Sequence, residues 1–208
     1  MHIETIVVGE FQVNCFVVWG QSDKALVIDP GSDAELILQF LKQKKLTVAA
    51  YLVTHGHMDH ICGLADLYSA RPAPIGISEA DLEWSFSNAN QMPPYYGVPK
   101  RPAEIARLLK DGQEWNDAGL AYKVISTPGH TPGAVCFHFE GANCLFTGDT
   151  LFAGSVGRTD LPGGSSRVLS ASLKKLAGLP DATLIYPGHG LSSDIAMEKR
   201  TNYFMQAL

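Results

Sequence analysis

The stretch that decides the fold places four potential metal ligands directly behind an apolar run: Leu52 Val53 Thr54 His55 Gly56 His57 Met58 Asp59 His60. The apolar and β-branched residues at 51–54 have the character of a buried strand, and Gly56 lets the backbone turn freely. We therefore expect the ligands to lie on a loop at the end of a strand.

This cluster of side chains calls for a cation. Three imidazoles so close together would repel one another if protonated, and burying a carboxylate beside them is costly unless a positive charge is present. A divalent metal removes both penalties. His55 and His57 are two residues apart and can close on one ion, whereas Asp59 and His60 are adjacent and point elsewhere, which indicates a second ion.

The remaining ligands follow the same pattern of strand, glycine and ligand further along the chain. Three residues fit it, each after an apolar run and a glycine: His130, Asp149 and His189. Seven ligands from four strand ends make two sites of about four each if one carboxylate bridges. Asp149 is the natural bridge because a carboxylate has two oxygens.

Four motifs in this order carry a resemblance to a known family. They are His-x-His-x-Asp-His at 55–60, Pro-Gly-His-Thr-Pro-Gly at 128–133, Gly-Asp-Thr at 148–150 and Pro-Gly-His-Gly at 187–190. The chain resembles the metallo-β-lactamase superfamily from about residue 3 to residue 189, and within it the glyoxalase II (hydroxyacylglutathione hydrolase)-like branch. The resemblance implies metal-dependent hydrolysis of a thioester.

The resemblance also implies an assignment of each ligand. The residues implied to hold the first metal are His55, His57 and His130. Those implied to hold the second are Asp59, His60 and His189, with Asp149 bridging. Zinc is the expected metal because mixed imidazole and carboxylate ligands suit it, and the same ligands also suit iron or manganese.

The order of apolar runs predicts two similar halves. The first half has strands at 3–8, 15–19 and 25–28 in an antiparallel meander, then a helix over 33–44 capped by Ser32 or Asp33. The second has strands near 122–126, 135–139 and 144–147, a helix over 165–176 and a strand at 183–186. Together they predict an α/β fold, a four-layer αβ/βα sandwich with the metals at one edge between the sheets.

Length and composition favour one domain. The 208 residues, 46% of them hydrophobic, suffice for a single well-buried domain over 1–208. Only one predicted helix, over 194–205, follows His189, so we expect no C-terminal helical domain of the kind that binds glutathione in longer glyoxalase II enzymes. The four cysteines show no CxxC spacing and are expected to be reduced thiols, mostly buried.

Charge and hydropathy exclude some partners. A net charge of −5 without Lys/Arg clusters argues against nucleic acid. No apolar segment approaches the roughly 20 residues that span a bilayer, and the N-terminus lacks a charged region followed by an apolar core. We therefore expect a cytoplasmic protein that acts on a small molecule.

Two segments are candidates for contact with a substrate. Residues 81–102 are rich in aromatic side chains, including Tyr95 and Tyr96, and form either a pocket wall or packed cover. The glycine-rich segment 154–164 carries Arg158, which either pairs with a substrate carboxylate or is solvated. In glutathione-thioester hydrolases a basic residue of the matching loop contacts the glycyl carboxylate and a Tyr assists. Arg158 fits the first role, and Asp160 stands where that Tyr would be.

The expected mechanism is metal-assisted attack of hydroxide on an acyl carbonyl, with the pKa of the shared water lowered to about 7. Asp59 both binds metal and orients the hydroxide. No protein nucleophile is needed, and no Gly-x-Ser-x-Gly motif is present. Hydrolysis of a β-lactam or a lactone stays open, because the ligands do not select the acyl group.

A different metal chemistry is compatible with the same fold. Persulfide dioxygenases share it and bind one ferrous ion, which by resemblance would use His55, His130 and Asp149. Met58 in the ligand run favours a hydrolase, since the dioxygenase run usually has Ala there. A purely structural metal site is disfavoured because such sites are closed by four protein ligands.

Asp29 is a further carboxylate near the predicted strand ends. It begins the turn Asp29 Pro30 Gly31, directly after the strand at 25–28. Its side chain either serves the turn or accepts an N–H from a ligand histidine.

Overall fold

The computed structural model describes residues 1–208 and contains fourteen strands and seven helices. The strands are β1 His2–Val8, β2 Val13–Trp19, β3 Lys24–Ile28, β4 Thr47–Leu52, β5 Ile75–Ser78, β6 Arg107–Leu109, β7 Glu114–Asp117, β8 Leu120–Ser126, β9 Val135–Phe139, β10 Cys144–Gly148, β11 Leu151–Phe152, β12 Ser155–Val156, β13 Leu184–Pro187 and β14 Ser193–Asp194. The helices are α1 Ala34–Gln43, α2 Met58–Ile61, α3 Leu64–Ala70, α4 Glu79–Ser85, α5 Ser166–Ala177, α6 Ile195–Thr201 and α7 Tyr203–Gln206.

Two six-stranded sheets form the centre of the fold. The first runs in the order β1-β2-β3-β4-β5-β6, and the second runs β14-β13-β10-β9-β8-β7. The meander β1-β2-β3 is antiparallel, as predicted, and β3 to β6 are parallel neighbours. A hairpin of β11 and β12 stands apart from both sheets.

Strand β2 shows why the sheets stack as layers. Its sequence is almost continuously apolar, which is typical of a strand buried on both faces. Cys15 and Val17 pack into the cluster that contains residues of α1 and α3, while Phe16 and Val18 face the second sheet. A third cluster joins the far face of the second sheet to α5. These three apolar interfaces confirm the αβ/βα sandwich.

The carboxyl ends of several strands meet at one edge between the sheets. β10 and β13 are parallel neighbours, so the segments that follow them, with Asp149 and His189, emerge side by side. The residues after β4 join them, because Val135 at the start of β9 donates its backbone N–H to the Thr54 carbonyl (2.8 Å). This edge is where the predicted ligands lie.

Several local expectations were wrong. Asp59 and His60 lie in the short helix α2 rather than on a loop. Asp33 precedes α1 but does not cap it: its φ is +47°, and its carboxylate accepts the Gly9 N–H (2.7 Å). The aromatic segment 81–102, for which no secondary structure was predicted, begins inside helix α4.

The prediction of a single C-terminal helix is also wrong, because Asn202 interrupts it and separates α6 from α7. This buried residue has extended backbone angles, and its side chain accepts the Phe204 N–H (3.0 Å) while donating to the Ser155 carbonyl (3.0 Å). The contacts end α6 and start α7. No helix of the structure has both the length and the apolar character needed to cross a membrane.

The four cysteines are free thiols, as predicted; Cys62 is half-buried and the others are buried. His138 is buried on β9. It belongs to none of the groups of potential metal ligands.

Candidate metal centre

Three groups of potential ligands lie at the sheet edge: two share no residue, and a third combines Asp29 with His55 and His60. In the first group, the ligand atoms of His55, His57 and His130 are within 4.8 Å of one another. In the second group, those of Asp59, His60 and His189 are equally close. The trios that the family resemblance implied are thus brought together, although their residues come from segments up to about 130 positions apart in the sequence.

Asp149 lies between the two groups. Its Oδ1 is 3.4 Å from His60 Nε2, and its Oδ2 is 3.6 Å from both His130 Nε2 and His189 Nε2. One carboxylate therefore reaches ligands of both groups. Gly188 packs beside it, where a Cβ would collide with the Asp149 carboxylate and the His60 ring. Glycine is therefore required at position 188, directly before His189, so that this backbone can approach Asp149 and His60 closely.

Hydrogen bonds orient the histidine rings. The Nδ1 atoms of three rings lie beside oxygens: His60 at 3.1 Å from Asp29 Oδ2, His130 at 2.7 Å from the Arg158 carbonyl and His189 at 3.0 Å from the Phe11 carbonyl. Donation of the Nδ1–H to these acceptors leaves the Nε2 lone pair directed at the centre.

His55 follows the same arrangement and His57 reverses it. The Thr54 hydroxyl donates to Asp29 Oδ2 (2.6 Å), so it accepts from His55 Nδ1 at 3.1 Å. His57 instead turns its Nδ1 inward, 2.9 Å from His130 Nε2.

The residues present fit metal ions. Three buried side-chain polar atoms in the whole protein lack a hydrogen-bond partner, and two of them are His55 Nε2 and Asp149 Oδ1. Buried lone pairs without a donor cost free energy, and a cation satisfies them. Imidazole and carboxylate donors, three per group plus a shared carboxylate, leave coordination positions open for water or substrate.

The electrostatics of the two groups differ. Burial lowers the pKa of His57 to about 4, aided by His130, and burial lowers the pKa of His55 well below its ordinary value. In the second group burial is outweighed by charge: Asp149 and Asp59 raise the pKa of His60, and His60 and His189 lower the pKa of Asp59. The first group consists of histidines alone, whereas the second contains the carboxylate of Asp59.

The sequence left open whether Asp29 serves its turn or accepts a hydrogen bond from a ligand histidine, and the structure shows both. Asp29 occupies a left-handed turn position (φ +50°) and is buried, and its carboxylate accepts from His60 and from the Thr54 backbone N–H (2.7 Å). It is therefore both a turn residue and an acceptor for a ligand histidine.

A second buried carboxylate, Asp81, was not anticipated. It lies on α4 and accepts four hydrogen bonds, from the Gly56 N–H (2.9 Å), the Thr131 hydroxyl (2.7 Å), the Gly133 N–H (2.7 Å) and the Trp84 indole (3.2 Å). These contacts join the loop of His55 and His57 to the loop of His130. Asp81 contacts no ligand side chain.

Asn90 holds the same loop from the other side. Its amide donates to the Gly56 carbonyl (2.8 Å) and accepts the Met58 N–H (3.1 Å), so the backbone on both sides of His57 is fixed. Gly56 is needed here, because a Cβ would collide with Ser85 of α4. Neither Asp81 nor Asn90 belongs to a motif, and nothing local in the sequence marks them.

The predicted substrate residues lie at different distances from the centre. Arg158 lines the cavity over the ligands, and its exposed guanidinium pairs with Asp160 through two contacts of 2.7 Å. Tyr95 and Tyr96 do not line that cavity. Both rings pack on Phe11, which does, and the Tyr96 hydroxyl accepts the Phe11 N–H (3.3 Å).

A four-layer sandwich with two such groups at the edge between its sheets defines a class of metal-dependent enzymes. The profile of the metallo-beta-lactamase superfamily matches residues 8–189, and the chain belongs to this superfamily of metallo-hydrolases.

Individual relatives cover the whole chain. Hydroxyacylglutathione hydrolase GloC of Haemophilus influenzae is 34% identical over 100% of this chain and 99% of its own length. The solved structure of BLEG-1 B3 metallo-beta-lactamase has a TM-score of 0.92 and 34% identity, covering 98% of this chain and 99% of that one. TTHA1623 in a di-iron-bound form has a TM-score of 0.88 and 35% identity, covering 97% and 99%.

Proposed function

We propose that the protein is a binuclear metal-dependent hydrolase that cleaves acyl thioesters, of the hydroxyacylglutathione hydrolase type. The observation that carries this proposal is the Asp149 carboxylate, which lies within 3.6 Å of ligand nitrogens from both groups. The similarity to GloC supports the thioester, and the di-iron form of TTHA1623 supports two ions in one such site.

Each ligand has a role in this proposal. His55, His57 and His130 hold one ion, Asp59, His60 and His189 hold the other, and Asp149 holds both. When bound, two divalent cations supply an acidified water and a polarising centre for the acyl carbonyl. We propose zinc as the metal, with iron or manganese as substitutes that the same donors accept.

The chain's own residues orient the reactants. Asp59 lines the cavity over the ligands, and its carboxylate, with Oδ2 at 3.5 Å from His189 Nε2, would orient the attacking hydroxide by accepting a hydrogen bond. Arg158, on the same cavity, exchanges Asp160 for a carboxylate of the thiol moiety, because an exposed ion pair of this kind is weak. A thiolate leaves without a general acid, because its conjugate thiol has a pKa of about 8.5.

The test is hydrolysis of S-lactoylglutathione by purified protein whose metal content is counted in the same sample. About two ions per chain, with cleavage that is lost on chelation and restored by metal, would support the proposal. Oxygen uptake on glutathione persulfide, with one iron per chain and no thioester cleavage, would replace it with a persulfide dioxygenase.

A second candidate is β-lactam hydrolysis, favoured by the similarity to BLEG-1 over nearly the whole of both chains. The same preparation assayed with a chromogenic cephalosporin tests it. Cephalosporin turnover above that of the thioester would reverse the order of the two candidates.

A further inference from the structure

An apolar cavity adjoins the metal centre. It has a volume of about 310 Å³ and shares four lining residues, His57, Met58, Met92 and Leu161, with the smaller cavity of about 170 Å³ over the ligands. The two spaces therefore adjoin at these four residues. A group attached to a carbonyl at the centre would lie next to the larger space.

The lining offers no charge to a ligand. No Asp, Glu, Lys or Arg borders the cavity, and Trp84, Met58, Met92 and Leu161 give it apolar walls. The Trp84 indole N–H donates to Asp81 (3.2 Å), which fixes the ring with its plane near-perpendicular to that of His57, the centroids 5.5 Å apart.

The buried polar side chain on the lining, Asn90, is already occupied, and the exposed Gln91 is occupied in part. Asn90 is buried, and its amide oxygen and both amide hydrogens are used by the backbone of Met58, Gly56 and Ser85. Gln91 donates to the Asn88 carbonyl (3.0 Å). A polar ligand group entering this space would lose its water and find few partners, because among the lining amides only Gln91 at the exposed rim keeps unused groups.

The cationic side chain beside the centre, Arg158, belongs to the cavity over the ligands. Arg158 lines the space over the ligands and not the apolar one. A thiol moiety that carries a carboxylate and pairs with Arg158 leaves the apolar cavity to the opposite side of the scissile bond, which is the acyl side.

We propose that the apolar cavity beside His57 binds the acyl chain, so that the preferred substrates are thioesters of apolar, extended acyl groups rather than of short hydroxyacyl groups. The inference rests on the proposed thioesterase function. It adds that Trp84 and Met92 are specificity-determining residues.

The experiment compares thioesters of one thiol, glutathione, with acetyl, butyryl, hexanoyl and octanoyl groups, and follows thiol release by the metal-loaded protein. Burial of each added methylene is expected to raise kcat/KM about fourfold until the chain fills the cavity. A flat or falling series, with acetyl still cleaved, would overturn the acyl-site inference and leave the proposed function standing. Absence of cleavage across the whole series would overturn the acyl-site inference, and absence of S-lactoylglutathione cleavage in the same preparation would overturn the proposed function as well.

Two variants test the location. Ala89→Phe adds a large ring at the exposed rim of the cavity, and Met92→Ala removes part of the wall it shares with the metal centre. Each is expected to lower the ratio of octanoyl to acetyl kcat/KM at least tenfold. The matched control is Ala70→Phe, which adds the same ring at an exposed position of α3 outside the cavity. An equal drop in the control, or an unchanged ratio in both test variants, would overturn the assignment.

Discussion

The two groups of the metal centre are held by two buried carboxylates that act in different ways. Asp29 binds a ligand ring of the second group directly, at 3.1 Å from His60 Nδ1. Asp81 serves the first group without touching a ligand side chain, through the backbone of the Gly56 and Gly133 segments. Asp29 fixes the tautomer of the His60 ring and places a negative charge beside it, whereas Asp81 fixes the conformation of two loops.

This difference matches the chemistry of each group. The second group contains its own carboxylate, Asp59, and carboxylates raise the pKa of its His60, whereas the first consists of three histidines and no carboxylate. Substitution at Asp29 should therefore change metal affinity, and substitution at Asp81 should change stability and geometry. The predictions that follow test this contrast.

Asp149→Asn should have the largest effect, because it affects both groups. The amide keeps one oxygen for one ion and turns a nitrogen toward the other, so we expect turnover to fall about a thousandfold, the loss that follows when several kcal/mol of metal-derived stabilisation are removed. Turnover and metal content of the purified variant measure it. The control Asp181→Asn removes an exposed carboxylate that pairs with Lys199. Two ions per chain with full turnover in the Asp149 variant would contradict the bridging role.

Asp59→Asn is confined to the second group. We expect the fold to be kept and turnover to fall about a hundredfold, because the variant loses both a charged ligand and the acceptor that orients the hydroxide. Circular dichroism and kcat on the metal-loaded variant are the measurements. Unchanged turnover would show that Asp59 has neither role.

The contrast between Asp29 and Asp81 also explains how far the sequence alone could predict this centre. The ligands are adjacent in sequence or follow a strand and a glycine, so chemistry and spacing identify them. Asp29 was visible as a carboxylate in a turn, but its contact with His60, 31 positions away, required the folded sheet. Asp81 accepts from backbone amides up to 52 positions away, and every residue except proline has such a donor, so no side-chain pattern identifies the pair. The break at Asn202 was missed for the same reason.

Asp29→Asn should weaken the second site more than the first, which Asp29 reaches only through the Thr54 hydroxyl that contacts His55. The new amide N–H₂ would donate to His60 Nδ1 and leave the ring's proton on Nε2, where it blocks the metal. We expect the affinity of the second group to fall about 10–100-fold. Titration with a competing chelator should give one tight site and one weakened site per chain. Equal weakening of both sites, or of neither, would contradict the division of labour.

Asp81→Asn should have the smallest effect on turnover, about tenfold or less, and a clear effect on stability. The amide of this variant would place an N–H₂ group against at least one of the four donors, and the remaining hydrogen bonds would no longer be made to a charged acceptor. We expect these two changes to lower the free energy of unfolding by about 3 kcal/mol. For a chain of this size that lowers Tm by about 6–12 °C.

The metal content of the folded Asp81 variant should stay near that of the unmodified protein, because no ligand side chain changes. Thermal unfolding and metal analysis on one preparation separate the two effects, and Asp66→Asn, an exposed carboxylate near Lys100, is the matched control with an expected change within about 0.5 kcal/mol. If Asp81→Asn instead unfolded at the normal temperature and lost the first ion, the carboxylate would act on the metal rather than on the loops. Asp29 and Asp81 would then both act in the same way, by placing negative charge near the metal ions.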